Sequence, residues 1–337
     1  MLNKQFLIAE VGLAHEGSLG IAQSFAKTAK LNGADAIKFQ HHNYEYESSK
    51  NERFRKKFSL QDKNRTDYWK RTSFSFKEWK KLKEYCDKIN IKFICSPFSI
   101  ESAKELNKIG LFAWKIASGE FNNIPLLEYI LKNSNKPIIL STGLTTISEI
   151  SKIIKILKKN KKKNYALLQC TSKYPTNLED VGHDLVKKLK KKFKCKVGIS
   201  DHSGQINSLI IGLCKNADIL EFHVTFHKNF FGPDTSSSIT PNEIRFLSKL
   251  RDDFNKIKNV NTNKEILSSN QKKMIKLFGK SVCAKYDLKK DQKIKLDYLK
   301  FLKPGTGIKV ADYKKVLGKF TKKPLKKNQL IKFSDLK

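Results

Sequence analysis

Phe6-Leu-Ile-Ala-Glu-Val-Gly12, then Ile21 to Leu31 (IAQSFAKTAKL), then Ala34-Asp-Ala-Ile-Lys-Phe-Gln40: the chain opens with a strand, a helix and a second strand. The runs Phe6 to Val11 and Ala36 to Phe39 are nearly continuous in apolar residues, as parallel strands buried on both faces are. The segment between them spaces its apolar residues by three and four, the helical period. Each run ends in side chains of chemical use: Glu10 on the first, Lys38 and Gln40 on the second.

The alternation continues. Further strand runs are Lys92 to Cys95, Ala113 to Ala117, Pro137 to Leu140, Tyr165 to Cys170, Lys196 to Ile199 and Ile219 to Val224. Helical spacing separates them at Trp79 to Ile89, Ser102 to Ile109, Leu126 to Leu131 and Ile147 to Leu157. Capping boxes mark helix starts at Ser75-Phe-Lys-Glu78, Thr146-Ile-Ser-Glu149 and Thr240-Pro-Asn-Glu243. Eight such units predict an α/β fold, a (β/α)₈ TIM barrel. A doubly wound open sheet is the alternative, and no GxGxxG follows the first strand to support its dinucleotide-binding form.

The barrel is predicted to occupy residues 1–258. Residues 259–279 read as a polar linker running into a short helix. Residues 280–337 read as a small β-rich module, with 18 Lys against 5 Asp and a turn at Lys303-Pro-Gly-Thr-Gly-Ile308. A module this short buries little core and is expected to lean on the barrel or on another subunit. Residues 41–74 interrupt the rhythm as a long polar loop carrying Tyr44, Tyr46, Phe54, Phe58, Tyr68 and Trp69. It follows the second strand, so it is placed to cover a barrel mouth.

A net charge of +36 raises the question of nucleic acid. The 68 basic residues comprise 62 Lys and 6 Arg, spread along the chain, whereas base and phosphate readout favours Arg in clusters. The charge is therefore read as a lysine-rich solvated surface, with no nucleic-acid partner. No apolar run of 18 residues is present, so no transmembrane helix and no membrane partner is expected. The six cysteines have no CxxC spacing and suit buried thiols in a reducing, cytoplasmic setting.

In a barrel of this class, polar residues at the C-terminal strand ends carry function. All eight ends supply them: Glu10; Lys38 and Gln40; Ser96; Lys115, Ser118 and Glu120; Ser141 and Thr142; Ser172 and Tyr174; Ser200, Asp201 and His202; His223. Lysines with small hydroxyls suit an anionic, phosphate-bearing substrate. His202 and His223, on neighbouring strands, either share a metal ion or form a hydrogen-bonded pair without one. Strands one and eight meet in a closed barrel, which brings Glu10 to the same seam. There it is either a general base or the partner of Lys38 in a salt bridge.

The segments Ile8-Ala-Glu10-Val-Gly12-Leu-Ala-His15-Glu-Gly17, Ala34 to Gln40, Ser96-Pro-Phe-Ser99, Lys115-Ile-Ala-Ser118-Gly-Glu120, Leu140-Ser-Thr-Gly143, Tyr174-Pro-Thr176, Gly198-Ile-Ser-Asp201-His202 and Gly232-Pro-Asp234 together resemble the N-acetylneuraminate (sialic acid) synthase family. Order and spacing hold from residue 6 to about residue 245. The tail, with Lys280-Ser-Val and Lys303 to Ile308, is similar to that family's C-terminal antifreeze-like or SAF domain.

The resemblance implies condensation of phosphoenolpyruvate with the open-chain aldehyde of an N-acyl hexosamine, giving a nine-carbon 2-keto acid and phosphate. It further implies a divalent metal on His202 and His223, Mn²⁺ first, with Mg²⁺ or Co²⁺ as alternatives. Glu10 matches the family's catalytic carboxylate and Asp234 a carboxylate contacting the sugar. Lys38, Ser96, Lys115, Ser118 and Ser141 match phosphoenolpyruvate contacts, and Gln40, Glu120 and Tyr174 positions around the sugar; Ser200 completes the substrate-binding set.

Three positions depart from the family pattern: Ala14 where Asn commonly precedes His, Ser172 where some members carry a phosphate-holding Asn, and Lys303 where Arg precedes Pro-Gly. In the family that Arg reaches a partner's barrel mouth, so a homodimer with the C-terminal domain capping the partner barrel is expected. Lys is a point charge without Arg's planar fork. The alternatives are a related sugar-acid synthase with another acceptor, such as a phosphorylated aldose, and a degenerate barrel binding a polyanion.

Overall fold

A computed structural model describes residues 4–49, 52, 54, 61–258, 260 and 263–337. Contacts within the chain divide it into two compact units, Met1–Asn259 and Val260–Lys337.

In the first unit, strands and helices alternate: β1 (Phe6–Gly12), α1 (Leu19–Leu31), β2 (Ala36–His41), α2 (Tyr44–Glu47), α3 (Arg65–Thr72), α4 (Phe76–Lys88), β3 (Lys92–Pro97), α5 (Ile100–Ile109), β4 (Ala113–Ile116), α6 (Ile124–Asn133), β5 (Ile138–Ser141), α7 (Ile147–Lys159), β6 (Tyr165–Cys170), α8 (Asp184–Phe193), β7 (Lys196–Asp201), α9 (Ile206–Cys214) and β8 (Ile219–Val224). A two-residue strand, β9 (Ser238–Ile239), and a long helix, α10 (Pro241–Lys258), complete it. Each of β1 to β8 pairs in parallel with the next, and β1 pairs with β8 to close the barrel. The predicted TIM barrel is the fold observed.

Side chains alternate along each strand. Leu7, Ala9, Ile37, Phe39, Phe93, Trp114, Leu167, Val197, Leu220 and Phe222 pack in one large core with the helices. Phe6, Ile8, Ala36, Ile94, Ala113, Ile139, Ala166, Leu168 and Ile219 form a separate cluster in the barrel interior. The inward series continues two residues further as Glu10, Lys38, Ser96, Lys115, Ser141, Cys170 and Glu221, and along β7 as Ser200. The interior is therefore apolar at its floor and polar toward the strand C-termini.

Helix starts follow local chemistry. Ser75 with Glu78 and Thr146 with Glu149 both form complete capping boxes, beginning α4 and α7. At α10 only half the reciprocal pattern is present: the Glu243 carboxylate accepts from both the backbone N–H and the hydroxyl of Thr240.

The segment 41–74, expected as a loop, is partly helical, and Phe58 lies outside the described residues. It carries α2 and α3, the latter capped by Asn64, whose side chain accepts from Asp67 N–H. Helix α3 buries Tyr68 and Trp69 against Leu13, with Tyr44 and Phe54 alongside. Two of the aromatics expected in a loop, Tyr68 and Trp69, are thus the packing face of this helix, whereas Tyr46 on α2 is exposed.

The second unit holds α11 (Ser269–Phe278), begun by a Ser268–Gln271 capping box inside the stretch expected as linker, of which residues 259, 261 and 262 lie outside the described set. Strands β10 (Ser281–Ala284) and β11 (Leu299–Leu302) form an antiparallel pair. Isolated bridges such as Cys283–Leu330 and Leu288–Leu325 extend it. Val282, Ala284, Leu288, Ile294, Val316, Leu325 and Ile331 fill its own small core. Lys303 lies just beyond β11, with its ammonium 5.4 Å from the centre of the Phe278 ring.

Candidate active site

Strand register sets one layer of the site directly. Glu10 of β1 stands opposite Lys38 of β2 on one side and His223 of β8 on the other. Glu10 Oε2 lies 2.5 Å from Lys38 Nζ, so the salt bridge weighed from sequence is present. The other carboxylate oxygen accepts a hydrogen bond from the Gln40 amide nitrogen at 2.8 Å. Glu10 thus keeps contact with the cavity wall while anchored to a lysine.

Glu221, two residues before His223 and on the same face, was not foreseen. Its carboxylate lies 3.1 Å from Lys115 Nζ and 3.6 Å from Lys38 Nζ, and it accepts from the Ser200 hydroxyl at 3.0 Å. All four charged groups are almost completely shielded from solvent. Burial opposes ionisation of Glu221, but Lys115 and Lys38 outweigh it and pull its pKa down to about 2. Burial pushes the Glu10 carboxyl above its ordinary range, with Lys38 pulling the other way and Glu221 adding repulsion. The same burial lowers Lys115, against the attraction of Glu221. Two buried cations are therefore balanced by two carboxylates of unequal character, one firmly ionised and one held closer to protonation.

Above this layer is a cavity of about 400 Å³. Lys38, Gln40, Lys115, Ser118, Ser141, Ser172, Tyr174, Ser200, His202, His223, Glu221 and Asp234 line its barrel side. His42, Phe54, Arg65, Tyr68, Trp69 and Phe98 line the side supplied by the inserted segment and the β3 end. The expected cover over the barrel mouth is thus realised by α3 and its neighbours. Arg65 is already committed, 3.0 Å from Glu52 and over the Trp69 ring at 4.8 Å.

Small groups make one corner of the cavity tight. A Cβ on Gly143 would come within 2.5 Å of Ser172 Oγ and 2.9 Å of Ser118 Oγ, so only glycine fits between these hydroxyls. Gly143 N–H donates to Ser118 Oγ at 3.1 Å. Gly12, at φ +56°, is likewise constrained: its backbone favours glycine, and a Cβ there would lie 3.3 Å from Asp234 Oδ2. The hydroxyls of Ser96 and Ser141 are buried without a hydrogen-bond partner in the protein. Buried hydroxyls are normally paired, so Ser141, which lines the cavity, is poised to donate to a ligand; Ser96 is not among the lining residues.

His202 and His223 stand with ring centres 5.3 Å apart, and the Tyr174 ring lies 4.0 Å from that of His202, tilted by 30°. His202 Nδ1 is 2.9 Å from the Thr171 carbonyl, which can only accept; the proton on Nδ1 leaves Nε2 as the ring's lone-pair site. His223 Nδ1 is buried with no hydrogen-bond partner and lies 3.8 Å from Asp234 Oδ2. Burial pushes His223 down to about 3 despite Asp234, so this ring is neutral. Burial also disfavours a charge on His202, but the adjacent Cys170 outweighs it and raises the pKa; a metal would compete with that proton for Nε2. Two imidazole nitrogens of this kind fit a divalent ion whose other positions come from water or substrate. Among the described residues, no group of three or more His, Cys, Asp or Glu is arranged to hold one.

The other sequence candidates divide. Asp201 turns away from the cavity to accept from Ser203 and Ser208 at the start of α9. His15 stacks on Phe74 at 4.4 Å in the outer packing. Glu120 does not line the cavity; it accepts from Asn123 at 2.7 Å in the turn after β4. Lys303 belongs to the second unit. Glu221 and Cys170 could have been found by counting back two residues from His223 and Ser172 along the inward face; His42, Arg65, Tyr68 and Trp69 had no such periodic signal.

A closed parallel barrel with lysines, hydroxyls, a paired carboxylate and two histidines at its C-terminal mouth offers a site able to hold a small anion. The chain matches the NeuB family over residues 25–265 and the SAF domain over residues 279–337, and it belongs to the NeuB family of sialic-acid-type synthases. An uncharacterized protein of Methanocaldococcus jannaschii is 35% identical over 98% of this chain and 94% of its own. The N,N'-diacetyllegionaminic acid synthase of Campylobacter jejuni is 34% identical over 98% of this chain and 100% of its own. Among solved structures, the N-acetylneuraminic acid synthetase of Leptospira borgpetersenii, in complex with citrate, aligns with a TM-score of 0.69 at 33% identity, over 81% of this chain and 90% of that one.

Proposed function

We propose that the protein condenses phosphoenolpyruvate with the open-chain aldehyde of an N-acyl amino hexose, releasing phosphate and forming a nine-carbon 2-keto sugar acid. The observation that carries this reading is the layer in which Glu10 stands between Lys38 and His223, beside the Lys115, Ser118, Ser141 and Ser172 corner. Its parts suit the two ends of the reaction.

In the balanced reaction, carbon 3 of the enol forms a bond to the aldehyde carbon, whose oxygen takes up a proton. Water adds at carbon 2 and gives up a proton, and cleavage of the carbon–oxygen bond to phosphate leaves the ketone. Lys115, Ser118, Ser141 and Ser172 would hold the phosphate and carboxylate of phosphoenolpyruvate, by charge and by short hydroxyl donors. Lys38 would stabilise negative charge at the reacting end while keeping Glu10 in place. Glu10, closer to protonation than Glu221, would move the proton at the water or at the aldehyde oxygen. His202 and His223 would hold the divalent metal, Mn²⁺ before Mg²⁺ or Co²⁺. Such an ion, when bound, supplies a Lewis acid for the aldehyde. Gln40, Tyr174, Ser200 and Asp234 would surround the sugar, and Lys303 of a partner would reach the acyl group in a homodimer.

Similarity to a legionaminate synthase supports a bacterial-type diacylated acceptor as well as N-acetylmannosamine. An acceptor with a terminal phosphate is less well served, because the Arg65 charge at the cavity wall is already taken by Glu52. Incubation with phosphoenolpyruvate, Mn²⁺ and a panel of N-acyl hexosamines, some phosphorylated, is expected to release phosphate only when an acceptor is present. Folded protein that releases none with every acceptor would overturn the reading.

A further inference from the structure

Beyond the cavity wall, a chain of hydrogen bonds runs from Glu10 out to the segment inserted after β2. Gln40 Nε2 donates to Glu10 Oε1 at 2.8 Å, His42 Nε2 lies 3.0 Å from Gln40 Oε1, and His42 Nδ1 lies 2.7 Å from Glu47 Oε1 and 2.9 Å from Oε2. The His42 ring is clamped between Trp69 and Phe98, at 3.9 and 4.0 Å between centres and 24° from parallel with each. It cannot turn without displacing both.

We propose that His42 and Glu47 are positioning residues for the Glu10 carboxylate, acting through the Gln40 amide; the inference rests on Glu10 being the working carboxylate of the reaction above. An ionised carboxylate only accepts, so Gln40 must present its nitrogen to Glu10 and its oxygen to His42. His42 must then donate from Nε2, which defines the tautomer. A neutral ring has a lone pair at Nδ1, and a protonated Glu47 meets it as donor.

The surroundings favour this neutral pair. Burial, then Arg65 and His41, push His42 well below the ordinary imidazole value, with Glu52 and Asp234 opposing. Burial and Glu52 push Glu47 up to about 8, against the Asn43 backbone, Arg65 and His41. The consequence is directional. If Glu47 ceased to donate, His42 could place its proton on Nδ1, Gln40 would lose its donor and be free to flip, and its oxygen would then face the Glu10 carboxylate.

The test compares wild type with Glu47→Leu and Glu47→Gln. The Gln side chain retains an N–H donor for His42 Nδ1, whereas Leu has none. Misorientation of a reacting group by a fraction of an ångström costs on the order of tenfold to a hundredfold, so E47L is expected to lose about tenfold or more in kcat with the KM for phosphoenolpyruvate within about twofold, and E47Q to stay within about twofold in both. Independently of activity, nitrogen-15 NMR of the His42 ring at neutral pH is expected to show the neutral Nε2–H tautomer in wild type and E47Q. An imidazolium or an Nδ1–H tautomer in wild type overturns the relay, as does E47L with wild-type kcat. Absence of acceptor-dependent phosphate release in wild type would instead remove the functional reading and leave the tautomer to decide the relay.

Discussion

Glu47 has a thermodynamic signature of its own, because the fold holds its pKa at about 8 against an ordinary value of 4.5. The folded state prefers the protonated acid, so that contribution to stability is complete below about pH 4.5 and is lost as pH rises through about 8. The groups facing it are Glu52, Arg65, His41, His42 and the Asn43 backbone. Unfolding free energy of wild type relative to E47Q, measured by urea between pH 5 and 8.5, is therefore expected to fall with rising pH. A difference that is flat or rises would show that Glu47 ionises normally. Neither its role nor that of His42 was legible beforehand: both lie in a stretch without periodicity, and a pair five residues apart carries no signal until α2 folds them together. Glu221 was hidden differently, inside the run Ile219 to Val224, whose apolar neighbours made the strand obvious and its one acid easy to pass over.

Among the elements, α10 shows how a terminal helix fastens the barrel. Arg251 is 2% exposed; its guanidinium lies 2.6 Å from Asp35 Oδ2 and 3.0 Å from Asp252 Oδ1. Asp35 in turn accepts the backbone N–H of Leu7 at 2.8 Å, so one ion pair joins α10 to β1 and the entry to β2. Removing Arg251 leaves the partly buried Asp35 carboxylate without its cation, a loss of about 3–5 kcal/mol for buried pairs, somewhat less where water reaches the carboxylate. Arg251→Ala is expected to lower urea stability of the barrel by about 3 kcal/mol. A loss under about 1 kcal/mol would mean that solvent already serves Asp35. The start of the helix followed from the Thr240-Pro-Asn-Glu243 capping box; its fastening to Asp35 did not, since the two residues are 216 apart in sequence.

Across the whole molecule the +36 charge divides into two populations. Lys38 and Lys115 are buried beside carboxylates, while Lys158, Lys159, Lys187, Lys188, Lys191 and Lys192 are exposed at helix surfaces and ends. The exposed majority produces a field attracting anions, and salt screens it within about 10 Å at 0.1 M. Raising ionic strength from about 0.05 to 0.5 M is thus expected to lower kcat/KM for phosphoenolpyruvate by about twofold to fivefold, mainly through KM. Salt-independent kcat/KM would restrict recognition to the buried lysines.

Element types, their order and the barrel were written in local patterns, because strand and helix periods, capping residues and strand-end chemistry act over a few residues. The lysines, serines and histidines of the mouth could be named for the same reason, and most of them line one cavity. Closure of β1 on β8 decided the rest. It set Glu10 between Lys38 and His223, gave Glu221 two lysines to serve, and let α2 and α3 fold back to supply His42, Glu47 and Trp69. The contacts of the lysine–carboxylate layer join residues tens to hundreds of positions apart, and all these energies depend on burial and distance, which exist only once the chain has folded.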